Sequence, residues 1–261
     1  MSTVETHREG DVMWITLNRP EVFNAFDDEM GAGFLAGLQS ASDPDVRCVV
    51  ITGAGKAFCA GEDLKALMEF YEAGRAPDLG QILRTRYNPM IMAIRSLKKP
   101  VVASVNGGAA GAGVALALAC DHRIMAEEAS FNLAFAKIGL VPDSAAIWLL
   151  DRYIGIGRTL EWAFDSGRMD SAKALQLGLV NQIVASSELG AASAKAAEAF
   201  ASGPTLAFSL IKDLAWGASA CDLESQLSAE AEAQAKAGSS KDHLEGVKAF
   251  LGKRHADFKG V

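Results

Sequence analysis

From Val12 to Asn18 apolar and polar side chains alternate, the period-two pattern of a strand with one buried face, and Arg19-Pro20 ends it. Three later runs, residues 48–52, 101–105 and 122–125, are apolar almost throughout, as expected of strands covered more fully, and 182–184 is a fifth candidate. Between them, residues 28–39, 81–97, 113–119 and 172–177 carry apolar positions at helical spacing, and Gly178 closes the last as a C-terminal cap. Strands separated by helices predict an α/β chain with parallel pairing.

After about Ser186 the texture changes. No strand candidate remains, and alanine-rich helical runs follow at 191–201, 205–215, 223–236 and 241–251, with Ser202-Gly203-Pro204 as a turn among them. The expected organisation is an α/β core over 1–190 and a helical region over 191–261 that packs on its own core or on a neighbouring subunit.

Composition narrows the function. The 261 residues, half of them hydrophobic and 22% charged, suffice to bury a large core. A net charge of -7, from 25 basic against 32 acidic residues, offers no footprint for phosphate backbones, so nucleic acid is not an expected partner. The most apolar stretch, 101–120, is interrupted by Asn106 and several glycines, and no membrane span is predicted. The first eleven residues are polar and mixed in charge, unlike a secretory signal, so a cytoplasmic location is expected. Cys48, Cys59, Cys120 and Cys221 form no CxxC pair and the four histidines show no ligand spacing. Buried free thiols and no metal site are the expectation.

Two strand-to-glycine transitions could carry chemistry. The first, Gly53-Ala54-Gly55-Lys56-Ala57-Phe58-Cys59-Ala60-Gly61-Glu62-Asp63-Leu64, lacks the Gly-Lys-Ser/Thr ending of a phosphate-binding loop. The second, Asn106-Gly107-Gly108-Ala109-Ala110-Gly111-Ala112-Gly113, enters a helix with Leu116 where a dinucleotide fingerprint needs its third glycine. Small residues here suit close backbone packing. They equally leave free N–H groups at a helix N-terminus, where an anion or a developing oxyanion can be held by backbone alone. Asp143 is also open to two readings: a helix N-cap before the apolar run 145–150, or a partly desolvated carboxylate basic enough to accept a proton.

Taken together, Asn18-Arg19-Pro20, the segment from Ala57 to Leu64, Lys99-Pro100-Val101, Asn106-Gly107, Cys120-Asp121, Gly178-Leu179-Val180-Asn181 and Ala249-Phe250-Leu251-Gly252-Lys253-Arg254 resemble the enoyl-CoA hydratase/isomerase (crotonase) superfamily. Order and spacing match from about Val12 to Phe258. The resemblance implies a spiral of ββα units with a C-terminal helical trimerisation region, and assembly as a homotrimer or a dimer of trimers. It implies an acyl-CoA thioester substrate, with no metal and no cofactor beyond the CoA that the substrate carries. Two backbone N–H groups, at Ala60 and Ala112, would hold the thioester enolate. Lys56, Ala60, Gly61, Glu62, Asp63 and Leu64 fall on the family's CoA-binding loop, and Gly111 and Phe135 fall at substrate-contacting positions. Phe250 and Lys253 fall on the terminal aromatic and lysine that reach the CoA of the adjoining site.

Departures from the family pattern sharpen the expected reaction. Family hydratases carry glutamates where this chain has Ala115 and Phe135, neither of which activates water, so ordinary hydratase chemistry is not expected. Asp143 falls where family isomerases carry a carboxylate. The segments 76–80, 87–89, 109–113 and 137–143 are further similar to the family's ring-epoxide isomerases of phenylacetyl-CoA degradation, although Ala145-Ala146 replaces their common Gly-Gly. Those enzymes turn 1,2-epoxyphenylacetyl-CoA into a seven-membered oxepin and can shift a 3-enoyl-CoA double bond to the 2 position. The family's aryl-CoA dehalogenases place a nucleophilic aspartate at this point too, but pair it with a tryptophan where Phe135 stands. Hydratase-like activity and a non-catalytic acyl-CoA-binding scaffold are the remaining alternatives. The sequence thus reads as an acyl-CoA isomerase in which Asp143 carries the proton.

Overall fold

The computed structural model describes residues 2–261. In chain order its strands are β1 (Val4–Glu9), β2 (Val12–Leu17), β3 (Cys48–Gly53), β4 (Ala57–Cys59), β5 (Val101–Val105), β6 (Gly108–Ala110), β7 (His122–Ala126), β8 (Ser130–Asn132), β9 (Arg168–Asp170) and β10 (Gln182–Val184). The helices are α1 (Asp28–Ser40), α2 (Met68–Glu72), α3 (Leu79–Ile82), α4 (Asn88–Ser96), α5 (Ala112–Ala119), α6 (Ala146–Asp165), α7 (Ser171–Gln176), α8 (Leu189–Ala201), α9 (Thr205–Gly217), α10 (Leu223–Gly238) and α11 (Lys241–Leu251). A six-stranded sheet runs β1-β2-β3-β5-β7-β10, parallel except for β1, and a four-stranded sheet runs β4-β6-β8-β9. Each turn of the chain lays one strand in the large sheet and the next in the small one: β3 then β4, β5 then β6, β7 then β8. Helices follow each pair, which is the ββα spiral.

All five strands expected from apolar patterning form, within one residue of their expected ends. β3 and β5 lie in the middle of the sheet with their apolar residues buried, as parallel strands covered on both faces require. The strands that the pattern did not reveal have other causes. In β1 only Val4 is buried, and backbone pairing with β2 makes it an edge strand despite its polar side chains. β4, β6, β8 and β9 are three residues each, too short for periodicity to register.

The helix expected over 81–97 is broken. α3 passes into a single π-helical segment, Leu83–Tyr87, before α4 begins at Asn88. Pro89 stands in the first turn of α4 and has no N–H to offer a carbonyl of the preceding turn, so the register widens there. α6 runs far beyond its expected apolar start, through a kink at Gly155, whose φ of 76° is not helical.

The centre of the molecule is α5, all of whose residues are buried. Its first turn lies directly on the end of β4: a Cβ at Gly113 would stand 2.2 Å from the Cys59 carbonyl oxygen. α8 packs on β2, β3, β5 and β7, and Ser193 Oγ donates to Ser104 Oγ at 2.8 Å, so the first of the terminal helices belongs to the core. α9 is tied down by Lys212, whose buried ammonium donates to Asp121 Oδ2 at 2.8 Å and to the Ile94 carbonyl at 3.0 Å. α10 contributes no buried residue, and Leu223, Phe250 and Leu251 stand exposed along the last two helices.

Cys48, Cys59 and Cys120 are buried, and desolvation pushes each thiol up to about 12, which makes them inert. Cys221 is exposed, contrary to the expectation of four buried thiols, because it precedes α10, outside the core. Among the described residues no group of three or more His, Cys, Asp or Glu is placed to hold a metal, and no helix is long and apolar enough to cross a membrane.

Because the Cys59 carbonyl is backbone and cannot swing aside, Gly113→Ala is expected to destabilise the fold by roughly 3 kcal/mol or more. A urea denaturation midpoint lowered by less than about 1 kcal/mol-equivalent would show that the α5 and β4 backbones are free to separate.

Candidate active site

Where β4 ends, the chain turns through Ala60 and Gly61 and makes a parallel bridge between Glu62 and Phe26. In that bridge Phe26 N–H donates to the Gly61 carbonyl at 2.7 Å and Asp63 N–H donates to the Phe26 carbonyl at 2.9 Å. Glu62's own N–H therefore faces away from Phe26. Among the described residues it has no hydrogen-bond partner. Gly61 makes the turn possible: its φ is +86°, and a Cβ there would stand 2.9 Å from the Ala110 carbonyl oxygen and 3.3 Å from the Ala112 nitrogen.

That contact brings the second loop alongside. Gly111, at φ +53°, precedes α5, and Ala112 N–H is the first amide of that helix. It lies at the positive end of the helix dipole, among the N–H groups that have no partner within the helix. The Ala60 N–H, expected to be the other donor, is not available: it donates to the Phe23 carbonyl at 3.0 Å. The backbone alternation of the Phe26 bridge moves the free donor two residues on, to Glu62. Among the described residues two amides without a partner thus lie on neighbouring loops, at Glu62 and Ala112.

Beside them opens a cavity of about 140 Å³. Ala60, Glu62, Leu64, Gly111, Ala112, Phe135 and Asp143 line it, so seven of the expected site residues are brought together. Apart from Tyr87 the remaining walls are apolar, from Leu79, Ile82, Leu83, Leu133, Ile138 and Leu140 among others. The Phe135 ring covers Gly111, lying 3.6 Å from where a Cβ would project. Other expected residues lie elsewhere. Lys56 is exposed at the start of β4, and Gly61 is buried behind the turn. Asp63 pairs with Arg19 at 2.9 Å. Phe250 and Lys253 are exposed at the end of α11 and do not line this cavity.

Asp143 is not a helix cap. Its carboxylate accepts no backbone N–H; Oδ1 accepts from Ser144 Oγ at 2.8 Å, and only its carbonyl reaches the helix, accepting from Ala146 N–H. Ala145 holds the cap position of α6 without a side-chain bond. Desolvation in the apolar cavity pushes the Asp143 carboxyl up to about 6, the Ser144 hydroxyl partly opposes this, and the neighbouring Glu62 charge adds to it. Ser144 and Ala145 both lie in the left-handed region, at φ 52° and 66°. An L-residue is strained there by about 1 kcal/mol, which is what glycine at Ala145 would relieve.

Glu62 is the second carboxylate of the cavity. It accepts from Arg86 Nη1 at 2.8 Å and 2.7 Å on its two oxygens, and from Tyr87 Oη at 2.7 Å. Sequence reasoning placed Glu62 on a CoA loop and overlooked Arg86 altogether. Tyr87-Asn88-Pro89 was visible as a motif, but its role as part of the cavity wall depends on the π-helical segment.

A family model described as enoyl-CoA hydratase/isomerase matches residues 7–261. This chain belongs to the enoyl-CoA hydratase/isomerase family. It is 41% identical over 261 residues to the 1,2-epoxyphenylacetyl-CoA isomerase of Escherichia coli (strain K12), covering 100% of this chain and 99% of that one. It is also similar to solved structures: an enoyl-CoA hydratase from Bacillus anthracis, with a TM-score of 0.92, 32% identity and 99% and 100% of the two chains covered. An enoyl-CoA hydratase/isomerase from Cupriavidus metallidurans CH34 matches with the same TM-score and identity over 100% and 97%. The chain is accordingly an enzyme of this family, with the family's fold.

The raised Asp143 carboxyl has a consequence for stability. A carboxyl whose folded-state value exceeds its unfolded value favours the fold fully below about 4, and that contribution is lost as pH rises through about 6. Asp143→Asn removes the buried charge, so it should leave stability near wild type at pH 4 and raise it at pH 8, by up to ~3 kcal/mol. Thermal unfolding at the two pH values tests this; equal shifts at both would mean the carboxyl is not desolvated.

Proposed function

We propose that the protein is an acyl-CoA isomerase, acting on the ring epoxide of 1,2-epoxyphenylacetyl-CoA, on 3-enoyl-CoA, or on both. The observation that carries this reading is Asp143, a desolvated carboxylate in the same cavity as Glu62 and Ala112, whose backbone amides have no partner among the described residues. The Glu62 and Ala112 N–H groups would receive the thioester oxygen, which gains charge as the adjacent carbon loses its proton. For 3-enoyl-CoA, Asp143 takes the C2 proton, the electrons spread to C4 through the dienolate, and the same carboxyl returns the proton at C4. A carboxyl poised near 6 suits both halves of that exchange.

Ala115 is buried within α5, and Phe135 presents a ring, so neither site supplies a group to activate water. That favours proton relocation over hydration. The cavity supports the aromatic substrate: about 140 Å³ walled by leucine, isoleucine and phenylalanine is close to the roughly 150 Å³ that accepts a benzene ring in an engineered apolar cavity. The 41% identity to an epoxide isomerase supports it as well.

Asp143→Asn keeps shape and volume but has no titratable oxygen at working pH. It should leave acyl-CoA affinity intact while kcat for 3-enoyl-CoA isomerisation falls by roughly 10² or more. Near wild-type kcat in the variant would remove the proton carrier from the proposal and revive the scaffold reading.

We further propose that the subunit assembles as a trimer or a dimer of trimers through α10 and α11. Leu227, Leu244, Val247, Phe250 and Leu251 are exposed on these helices and have no core of their own to cover them. Further copies of the chain are the proposed cover, which would place Phe250 and Lys253 against a neighbour's CoA. Light scattering at micromolar concentration should give a mass of three or six subunits; a monomer would overturn the assembly.

A further inference from the structure

Two carboxylates, Glu62 and Asp143, line one small apolar cavity, and the protein treats them differently. Glu62 receives three hydrogen bonds from a guanidinium and a phenol. Asp143 receives one, from the hydroxyl of its own neighbour Ser144. The structure commits substantial resources to the first arrangement. Arg86 and Tyr87 stand on the one π-helical segment between α3 and α4, a geometry found mostly where function needs it. Arg86 is buried, and its Cγ would stand 2.6 Å from a Cβ at Gly31, so α1 carries a glycine where the arginine passes. Burial also holds Tyr87 well above the usual phenol range, so it stays a donor. Arg86 does not serve Glu62 alone, since its Nη2 pairs with Asp28 at 2.6 Å.

We propose that Glu62 is a positioning residue of the isomerase: a clamped negative charge that shares the cavity with Asp143 and makes Asp143 the carboxylate that takes the proton. The proposal rests on the proton-carrier reading of Asp143. Its physics is that of two like charges in a poorly solvated space, which cannot both ionise without penalty. The proton settles on the member without a cation, and that member is Asp143. Among the described residues no other side chain lining the cavity is acidic or basic. Tyr87 is the remaining titratable group on the cavity wall and is occupied by Glu62, Arg86 is paired with Glu62 and does not line the cavity, and Lys137, on the turn beside Phe135, is exposed. The Glu62 backbone serves the oxyanion, so its side chain and its N–H do separate work. The Arg86 and Tyr87 bonds hold both in place.

The test compares Glu62→Gln with Glu62→Asp. Glutamine retains an oxygen for Arg86 and Tyr87 but has no charge; aspartate retains the charge. For Glu62→Gln the acid limb of kcat/KM for 3-enoyl-CoA isomerisation should move to lower pH by ~0.5 unit or more. For Glu62→Asp it should stay near wild type. A merely structural role would lower kcat in both variants and leave the midpoint where it was, which overturns the proposal. The same question is answered without turnover by the ¹³C carboxyl resonance of Asp143, assigned by its loss in Asp143→Asn. Its titration midpoint should fall in Glu62→Gln, and an unmoved midpoint overturns the proposal. Full activity of Asp143→Asn would instead refute the proton-carrier reading, and the resonance would still report whether Glu62 acts on Asp143.

Discussion

The close approach of the α5 N-terminus to the end of β4 governs this molecule. With the Cys59 carbonyl oxygen close to where a Gly113 Cβ would lie, and Gly61 pressed against the Ala110–Ala112 backbone, two consecutive turns of the spiral meet main chain to main chain at these points. Such contact leaves no space for a side chain at Gly61 or Gly113. In return it sets Glu62 and Ala112 beside one cavity. Catalysis by backbone donors depends on their being fixed before charge develops, because a donor that must first reorganise loses its advantage. Glycine contacts of this kind fix the main chain beside the cavity, and the Arg86 and Tyr87 bonds to Glu62 add to that rigidity.

Around this fixed point the rest of the site is organised by exclusion of water. Apolar side chains wall the cavity, so a carboxylate within it is poorly solvated, and Asp143 responds by holding its proton more tightly than a surface aspartate does. The strain at Ser144 and Ala145 is part of the same arrangement: two successive left-handed residues turn Asp143 away from the first turn of α6, where an aspartate would otherwise cap the helix. Helix stability is forgone there for a carboxylate directed into the cavity, a trade that recurs at functional sites. Glu62, by contrast, keeps its charge compensated. Two carboxylates in one cavity thereby become chemically distinct through their neighbours alone.

The outer helices follow a separate logic. α8 covers the large sheet and α9 is anchored by Lys212 on Asp121 and by Trp216 under the Arg95 guanidinium, 3.3 Å from its ring centre. Beyond them α10 and α11 present apolar faces that the single chain leaves exposed. Core and periphery are thus held by different forces, the first by continuous apolar packing and the second by a few buried ionic and cation–π contacts.

Local patterning specifies the α/β class, the five strands of the large sheet that carry apolar runs, the terminal helices and, through the motifs, the family. It also exposed Asp143 and the absence of glutamates at Ala115 and Phe135. Periodicity and motif spacing are local properties, and these features are local. Tertiary structure alone decided that Ala60's amide is taken by Phe23, that Glu62's is free, and that Asp143 faces a cavity and not a helix end. Each of these depends on what segments distant in the chain place alongside: Phe26 beside Glu62, Arg86 from 24 residues away, Ala110 against Gly61. A residue type states what a side chain or amide can do; whether its hydrogen bond is already occupied, and how much water reaches it, is set by neighbours that no local pattern specifies.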